Sequence, residues 1–181
     1  MKTLFIGNSH TYFNDMPAIF QKICRENGID MHVTMLTQGG MGLDYHAKQP
    51  EVRFNILFGG YDIVVLQHTA HPMGDLDEMR KGAETVLQWV REAGSRPIFY
   101  QTWAAKGDES FQPTMSAVYD QLGADLNVDV APVGNLWQQA RREDPSLELY
   151  YTDGAHASPA GSTLAARVIF ETAFPEEDES V

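Results

Sequence analysis

Residues 63–66 read Ile-Val-Val-Leu, four apolar side chains in a row. An unbroken run of that length describes a strand covered on both faces, the kind found in parallel sheets whose strands are joined by crossover helices. The rest of the chain supplies the matching pieces in alternation. Residues 3–6 predict a first strand. Asp15 can cap a helix with Pro17 in its first turn and Ile19, Phe20, Ile23 and Cys24 on one face, stopping near Gly28. Residues 31–36 predict a second strand, 61–66 the third, 97–100 a fourth and 128–133 a short fifth, where Pro132 marks an edge position or a strand end. Leu76, Met79, Ala83, Val86, Leu87 and Val90 recur at helical spacing between a capping Asp75 and Gly94. Met115, Val118, Tyr119 and Leu122 mark another helix. Ser158-Pro159 opens a last one, with Leu164, Ala165, Val168 and Ile169 inward.

Strands separated by helices imply parallel pairing, right-handed crossovers and helices on both faces. The expected fold class is therefore α/β, a three-layer α/β/α sandwich with about five parallel strands. A chain of 181 residues fits one domain, residues 1–174. Residues 175–181 form an acidic tail around Glu176-Glu177-Asp178-Glu179, which reads as a solvated end. In such sheets, sites lie beyond the carboxyl ends of the strands. Ser9, Gly39-Gly40, Gln67-His68-Thr69 and Thr102-Trp103 each follow a predicted strand directly, so all should meet on one rim.

Charge narrows the partners. A net charge of −12 argues against nucleic acid, an anionic membrane surface and polyanionic substrates. Cys24 is the only cysteine, so neither an intrachain disulfide nor a thiolate metal cluster is available, and within its helix it reads as a small core residue. No run reaches transmembrane length, and the apolar stretch before Gly7 is too short for a signal-peptide core. The chain is expected to be cytoplasmic.

The chemistry gathers around Ser9. A serine leaving the first strand and a late Asp153-Gly154-Ala155-His156 supply the parts of a nucleophile, base and orienting acid. Separately, each has an ordinary explanation: a loop or capping serine, and an Asp-Gly turn followed by a surface histidine. Together they suit acyl transfer. That chemistry also needs donors where charge develops on the carbonyl oxygen. The Ser9 N–H is one candidate and Gly40 a second, with Gly39 possible instead. Gln67 and Thr69 are the polar side chains available after the third strand. Asn8, His10, His68 and Trp103 fall where substrate would bind, and Tyr12, Phe13 and Met73 could add an apolar platform. His10, His68 and His71 share this rim. With no H-E-x-x-H and no carboxylate between His68 and His71, they are expected to line the pocket or bond locally, and no metal or cofactor is expected.

The chain resembles the SGNH hydrolases, also called GDSL esterases and lipases. Gly7-Asn8-Ser9 is similar to the first block of that superfamily, Gly40 to the second, Leu66-Gln67-His68-Thr69 occupies the place of the third, and Asp153-Gly154-Ala155-His156 is similar to the fifth. Gly7-Asn8-Ser9-His10-Thr11-Tyr12 and Val65-Leu66-Gln67 are also similar to an uncharacterised branch of it. The resemblance implies a flavodoxin-like α/β/α fold, Ser9 as nucleophile, His156 as base, Asp153 as its partner, and ester substrates such as acyl lipids, thioesters or acetylated sugars. Two departures stand out: Asn8 replaces the aspartate before the nucleophile, and Gly-x-Asn-Asp is missing from the third block. Matching by position puts Thr69 where the oxyanion asparagine would be, while Gln67 reaches farther.

The leading expectation is a serine esterase acting on small-molecule short-chain acyl or carbohydrate acetyl esters through an acyl-serine. The weak third block motivates the alternative, a non-catalytic small-molecule or carbohydrate binding protein on the same scaffold. A flavin or phosphate protein fits less well, since the loop after the first strand lacks the glycine that wraps a phosphate.

Overall fold

The computed structural model describes residues 1–176; the end of the acidic tail, residues 177–181, lies outside them. Five strands, β1 (Lys2–Gly7), β2 (His32–Thr37), β3 (Ile63–Leu66), β4 (Arg96–Tyr100) and β5 (Asp129–Ala131), form one sheet in the order β2-β1-β3-β4-β5. Every neighbouring pair is parallel. The helices are α1 (Ser9–Tyr12), α2 (Met16–Glu26), α3 (Leu43–His46), α4 (Pro50–Phe58), α5 (Leu76–Glu92), α6 (Gln112–Leu126), α7 (Val133–Glu143) and α8 (Pro159–Ala173). None is long and apolar enough to cross a membrane.

The two-residue period of a strand divides the core. Leu4, Ile6, Val64, Leu66 and Phe99 point to one face, where they meet residues of α4, α5 and α6. Phe5, Ile63, Val65, Ile98 and Tyr100 point to the other, against α2, α7 and α8. This is the three-layer sandwich that the alternation of elements implies. Each layer uses one half of the apolar positions, which is why β3 carries no polar residue at all. Cys24 is fully buried among these residues, and burial pushes its thiol up to about 11.

Local chemistry sets most boundaries. The Asp75 carboxylate accepts from the N–H groups of Asp77 and Glu78 and starts α5, and the Ser158 hydroxyl accepts from Gly161 to start α8. Several details differ from the sequence expectation. The fifth strand ends at Ala131, and Val133 already belongs to α7, because Pro132 cannot extend the ladder. Asp15 makes no side-chain cap; it lies in the left-handed region at φ 54°, directly after Asn14 at φ 54°. Helix α4 was not foreseen, because it buries only Val52 and Ile56 while Phe54 and Phe58 stay exposed, leaving no apolar stripe to recognise.

Candidate active site

Strand β1 delivers its chain to the rim at Gly7, and Asn8 then turns it into α1. The Asn8 Oδ1 accepts from His10 N–H at 3.0 Å, capping the helix that begins with Ser9. Behind this turn sits Gln67, fully buried. Its Oε1 accepts from the Asn8 N–H at 2.8 Å and from the Thr11 hydroxyl at 2.9 Å, and its Nε2 donates to the His68 carbonyl. A β-carbon on Gly7 would overlap Gln67 and the Thr11 hydroxyl, so glycine is required there for the close approach.

The facing segment comes from the other end of the chain. Tyr150 and Ala157 form an antiparallel bridge, and Tyr151 N–H donates to the His156 carbonyl at 2.8 Å, closing a short loop. Within it, Asp153 Oδ1 accepts from the N–H groups of Ala155 and His156 at 2.9 and 3.0 Å. Gly154, at φ 72°, allows the reversal. Two outside donors hold the loop against the sheet: Trp103 Nε1 reaches the Ala155 carbonyl at 2.8 Å, and Lys106 N–H the Gly154 carbonyl at 2.8 Å.

These two segments bring Ser9, His156 and Asp153 into one chain of contacts. His156 Nε2 lies 2.7 Å from Ser9 Oγ, and Nδ1 lies 2.6 Å from Asp153 Oδ2. Desolvation pushes the Asp153 carboxyl up, but the His156 ring and the Ala155 and His156 backbone N–H groups outweigh it and hold it at about 2. An ionised carboxylate only accepts, so Nδ1 carries the proton and Nε2 turns its lone pair to the serine hydroxyl. The arrangement can deprotonate Ser9 and stabilise the imidazolium that results.

A cleft of about 470 Å³ opens beside Ser9, lined among others by Asn8, His10, Gly40, Thr69, His71 and His156. The N–H groups of Ser9 and Gly40 donate to no protein acceptor among the described residues. Gly40 lies at φ 72°, a conformation that favours glycine. The Asn8 Nδ2 donates to the Met41 carbonyl at 3.0 Å and so ties the serine turn to the Gly40 loop.

Several expected site residues have other duties. Gln67 is not an oxyanion donor: both ends of its amide are committed inside the protein, beneath the serine turn. The Thr69 hydroxyl lines the cleft but donates to the Met73 carbonyl at 2.9 Å. Asn8 lines the cleft and is also a brace, with Oδ1 accepting from His10 N–H and Nδ2 donating to the Met41 carbonyl. His68 is buried and locked, accepting from Leu43 N–H at Nδ1 and donating to the Met73 carbonyl from Nε2. Trp103 is no platform for substrate. It is fully buried, stacked on Trp137 with centroids 3.9 Å apart, and anchors the histidine loop. Met73 is buried as well.

His10 does border the cleft, 8% exposed, with its ring 5.1 Å from those of His71 and His156. Burial first, then His71 and His156, hold its imidazole down at about 3. Burial also lowers His71, whose Nε2 donates to the Trp103 carbonyl at 2.8 Å. Sequence reasoning gave His71 no individual role. Among the described residues, no group of three or more His, Cys, Asp or Glu is disposed to hold a metal ion.

No protein-family model matches the chain, and no curated protein does. Solved structures match over almost its whole length. A proposed SGNH hydrolase from Slackia heliotrinireducens superposes with a TM-score of 0.82 at 26% identity, covering 96% of this chain and 98% of that one. A DUF4886 family protein from Bacteroides uniformis gives 0.76 at 16% identity over 95% and 82%. A family 3 carbohydrate esterase from Clostridium thermocellum gives 0.77 at 11% identity over 96% and 94%.

Proposed function

For this member of the SGNH/GDSL hydrolase superfamily, we propose the activity of a serine ester hydrolase that works through an acyl-serine intermediate. The observation that carries the reading is the Ser9–His156–Asp153 contact chain, at 2.7 and 2.6 Å. Ser9 Oγ attacks the ester carbonyl while His156 Nε2 takes its proton. Negative charge collects on the carbonyl oxygen, toward the N–H groups of Ser9 and Gly40. As the tetrahedral adduct collapses, His156 returns the proton to the departing alcohol. Water, deprotonated by the same nitrogen, then releases the acid and restores Ser9. Asp153 keeps the imidazole in the required tautomer and offsets its transient charge. The sequence uses only protein groups and water.

Short acyl or acetyl esters, including those of carbohydrates, are the proposed substrates. The cleft beside Ser9 holds about 470 Å³, a volume that suits a short acyl group. One matching structure is a carbohydrate esterase. Without a side-chain oxyanion donor from the loop after β3, the two N–H groups carry the role alone. Losing one such donor costs about 2.7–4 kcal/mol in other hydrolases, so turnover should be slow rather than absent.

A fluorophosphonate probe tests the proposal directly. Wild-type protein should take up one label, mapped to Ser9, and should hydrolyse p-nitrophenyl acetate. Ser9→Ala should keep its fold and lose both. Wild-type-like hydrolysis by Ser9→Ala would remove the nucleophile assignment.

A further inference from the structure

We infer that Phe13 is a positioning residue for the His156 base, held against the imidazole by a strained turn built for that purpose. The inference rests on the esterase reading above. The Phe13 ring lies face to face on the His156 ring, with centroids 4.1 Å apart and planes 10° from parallel. Tyr151 meets the Phe13 ring edge-on at 5.8 Å and supports it from the histidine loop itself.

The backbone after Phe13 is unusual. Asn14 (φ 54°, ψ 27°) and Asp15 (φ 54°, ψ 41°) are two successive non-glycine residues in the left-handed region. Side chains disfavour that conformation, although Asn and Asp tolerate it best, and it persists only where surrounding contacts enforce it. Here they do. The Asn14 amide donates to the Ala157 carbonyl at 3.0 Å and to Ser162 Oγ at 2.9 Å, and the Ser162 hydroxyl donates to the Phe13 carbonyl at 3.1 Å. The turn is thereby fastened to the residue following His156 and to the first turns of α8. Core packing does not account for the arrangement, because Phe13 is only half-buried and Asn14 and Asp15 are exposed.

The mechanism gives the stack its use. Rotation about the bond between an imidazole and its β-carbon is soft, so the ring needs outside restraint. The bond from Nδ1 to Asp153 persists through the cycle but holds only one edge of the ring, and the bond from Nε2 to Ser9 vanishes once the serine is acylated. At that stage Nε2 must face first the leaving alcohol and then a water. A stack on the ring face depends on neither partner, and it keeps Nε2 aimed at the same point through both halves of the cycle. Productive alignment of this kind is worth large rate factors, and small misplacements are costly.

The test compares Phe13→Leu, which keeps bulk without an aromatic face, with Phe13→Tyr, which keeps the face. Each is measured for its Ser9 fluorophosphonate labelling rate, for kcat and KM on p-nitrophenyl acetate, and for the His156 imidazole proton shifts by NMR. Phe13→Leu should lower kcat and the labelling rate by roughly tenfold. It should move KM less than about twofold and abolish the ring-current shift on the His156 protons. Phe13→Tyr should restore most of the rate and the shift. A Phe13→Leu protein that labels as fast as wild type, or one that Phe13→Tyr matches in its defect, overturns the inference while leaving the esterase reading intact. Wild-type protein that takes no label at Ser9 overturns both.

Discussion

His10 offers a sharp test of the electrostatics around the base. The residue is only 8% exposed, and burial holds the imidazole down from its ordinary 6.5 to about 3. Unfolding releases it to titrate normally. Between these two values the unfolded chain binds a proton that the folded chain refuses, so folding stability must fall as pH falls through that window. At pH 4.5 the gap is about two units below 6.5, worth about 2.7 kcal/mol, and about 0.2 kcal/mol of it is already present at pH 7. His10 should therefore remove about 2.5 kcal/mol of stability between pH 7 and pH 4.5. The figure hardly changes for any folded value below about 4, because the folded ring is then neutral throughout the window.

The comparison is wild type against His10→Asn, by urea unfolding followed through tryptophan fluorescence at several pH values across that range. The variant loses ring packing and starts from lower stability, but its pH slope should be shallower by the amount above. In thermal melts this corresponds to a difference of about 5–10 °C in the acid-induced fall of Tm. His46, His68 and His71 are lowered in the same direction by burial, so the variant should keep a residual slope. Equal losses for the two proteins between pH 7 and pH 4.5 would refute the argument that His10 stays neutral beside His156.

Asp153→Asn should leave the loop largely in place but supply a donor or a neutral acceptor where the imidazole N–H expects an anion. A loss of about 10⁴-fold in kcat is expected from an uncharged partner, measured on p-nitrophenyl acetate, and a loss below about tenfold would remove Asp153 from the proposed mechanism. Gly7→Ala should destabilise by about 1–3 kcal/mol, read as a lowered urea midpoint, because the new methyl displaces Gln67 and Thr11. Since Gln67 also holds the Asn8 N–H, the labelling rate at Ser9 should fall with it; an unaltered midpoint would show that the space can relax.

Layering was legible in the sequence because it follows from period and alternation. Residues 63–66 announced a strand with two covered faces, and Asp75 and Ser158 announced two helix starts by the chemistry of their side chains. Residues whose role is set by long-range neighbours were not legible. Gln67 and His68 are polar groups after a strand, which suggests a site, yet both bond inward to backbone that only the fold brings near. Trp103 has the same rim position, but Trp137 and the Ala155 carbonyl claim its two sides. Asn14 could not be foreseen as left-handed, because the partners that enforce it lie 143 and 148 residues away. The Ser9, Asp153 and His156 set was nameable because it combines two short patterns at opposite ends of a chain whose strands all point one way.

That separation has a consequence during synthesis. Ser9 and His156 are 147 positions apart, and residue 156 must leave the ribosome before the pair can meet. A nascent or prematurely terminated product therefore carries an inert hydroxyl, and appearance of esterase activity in a translation reaction would mark the moment when the whole domain closes.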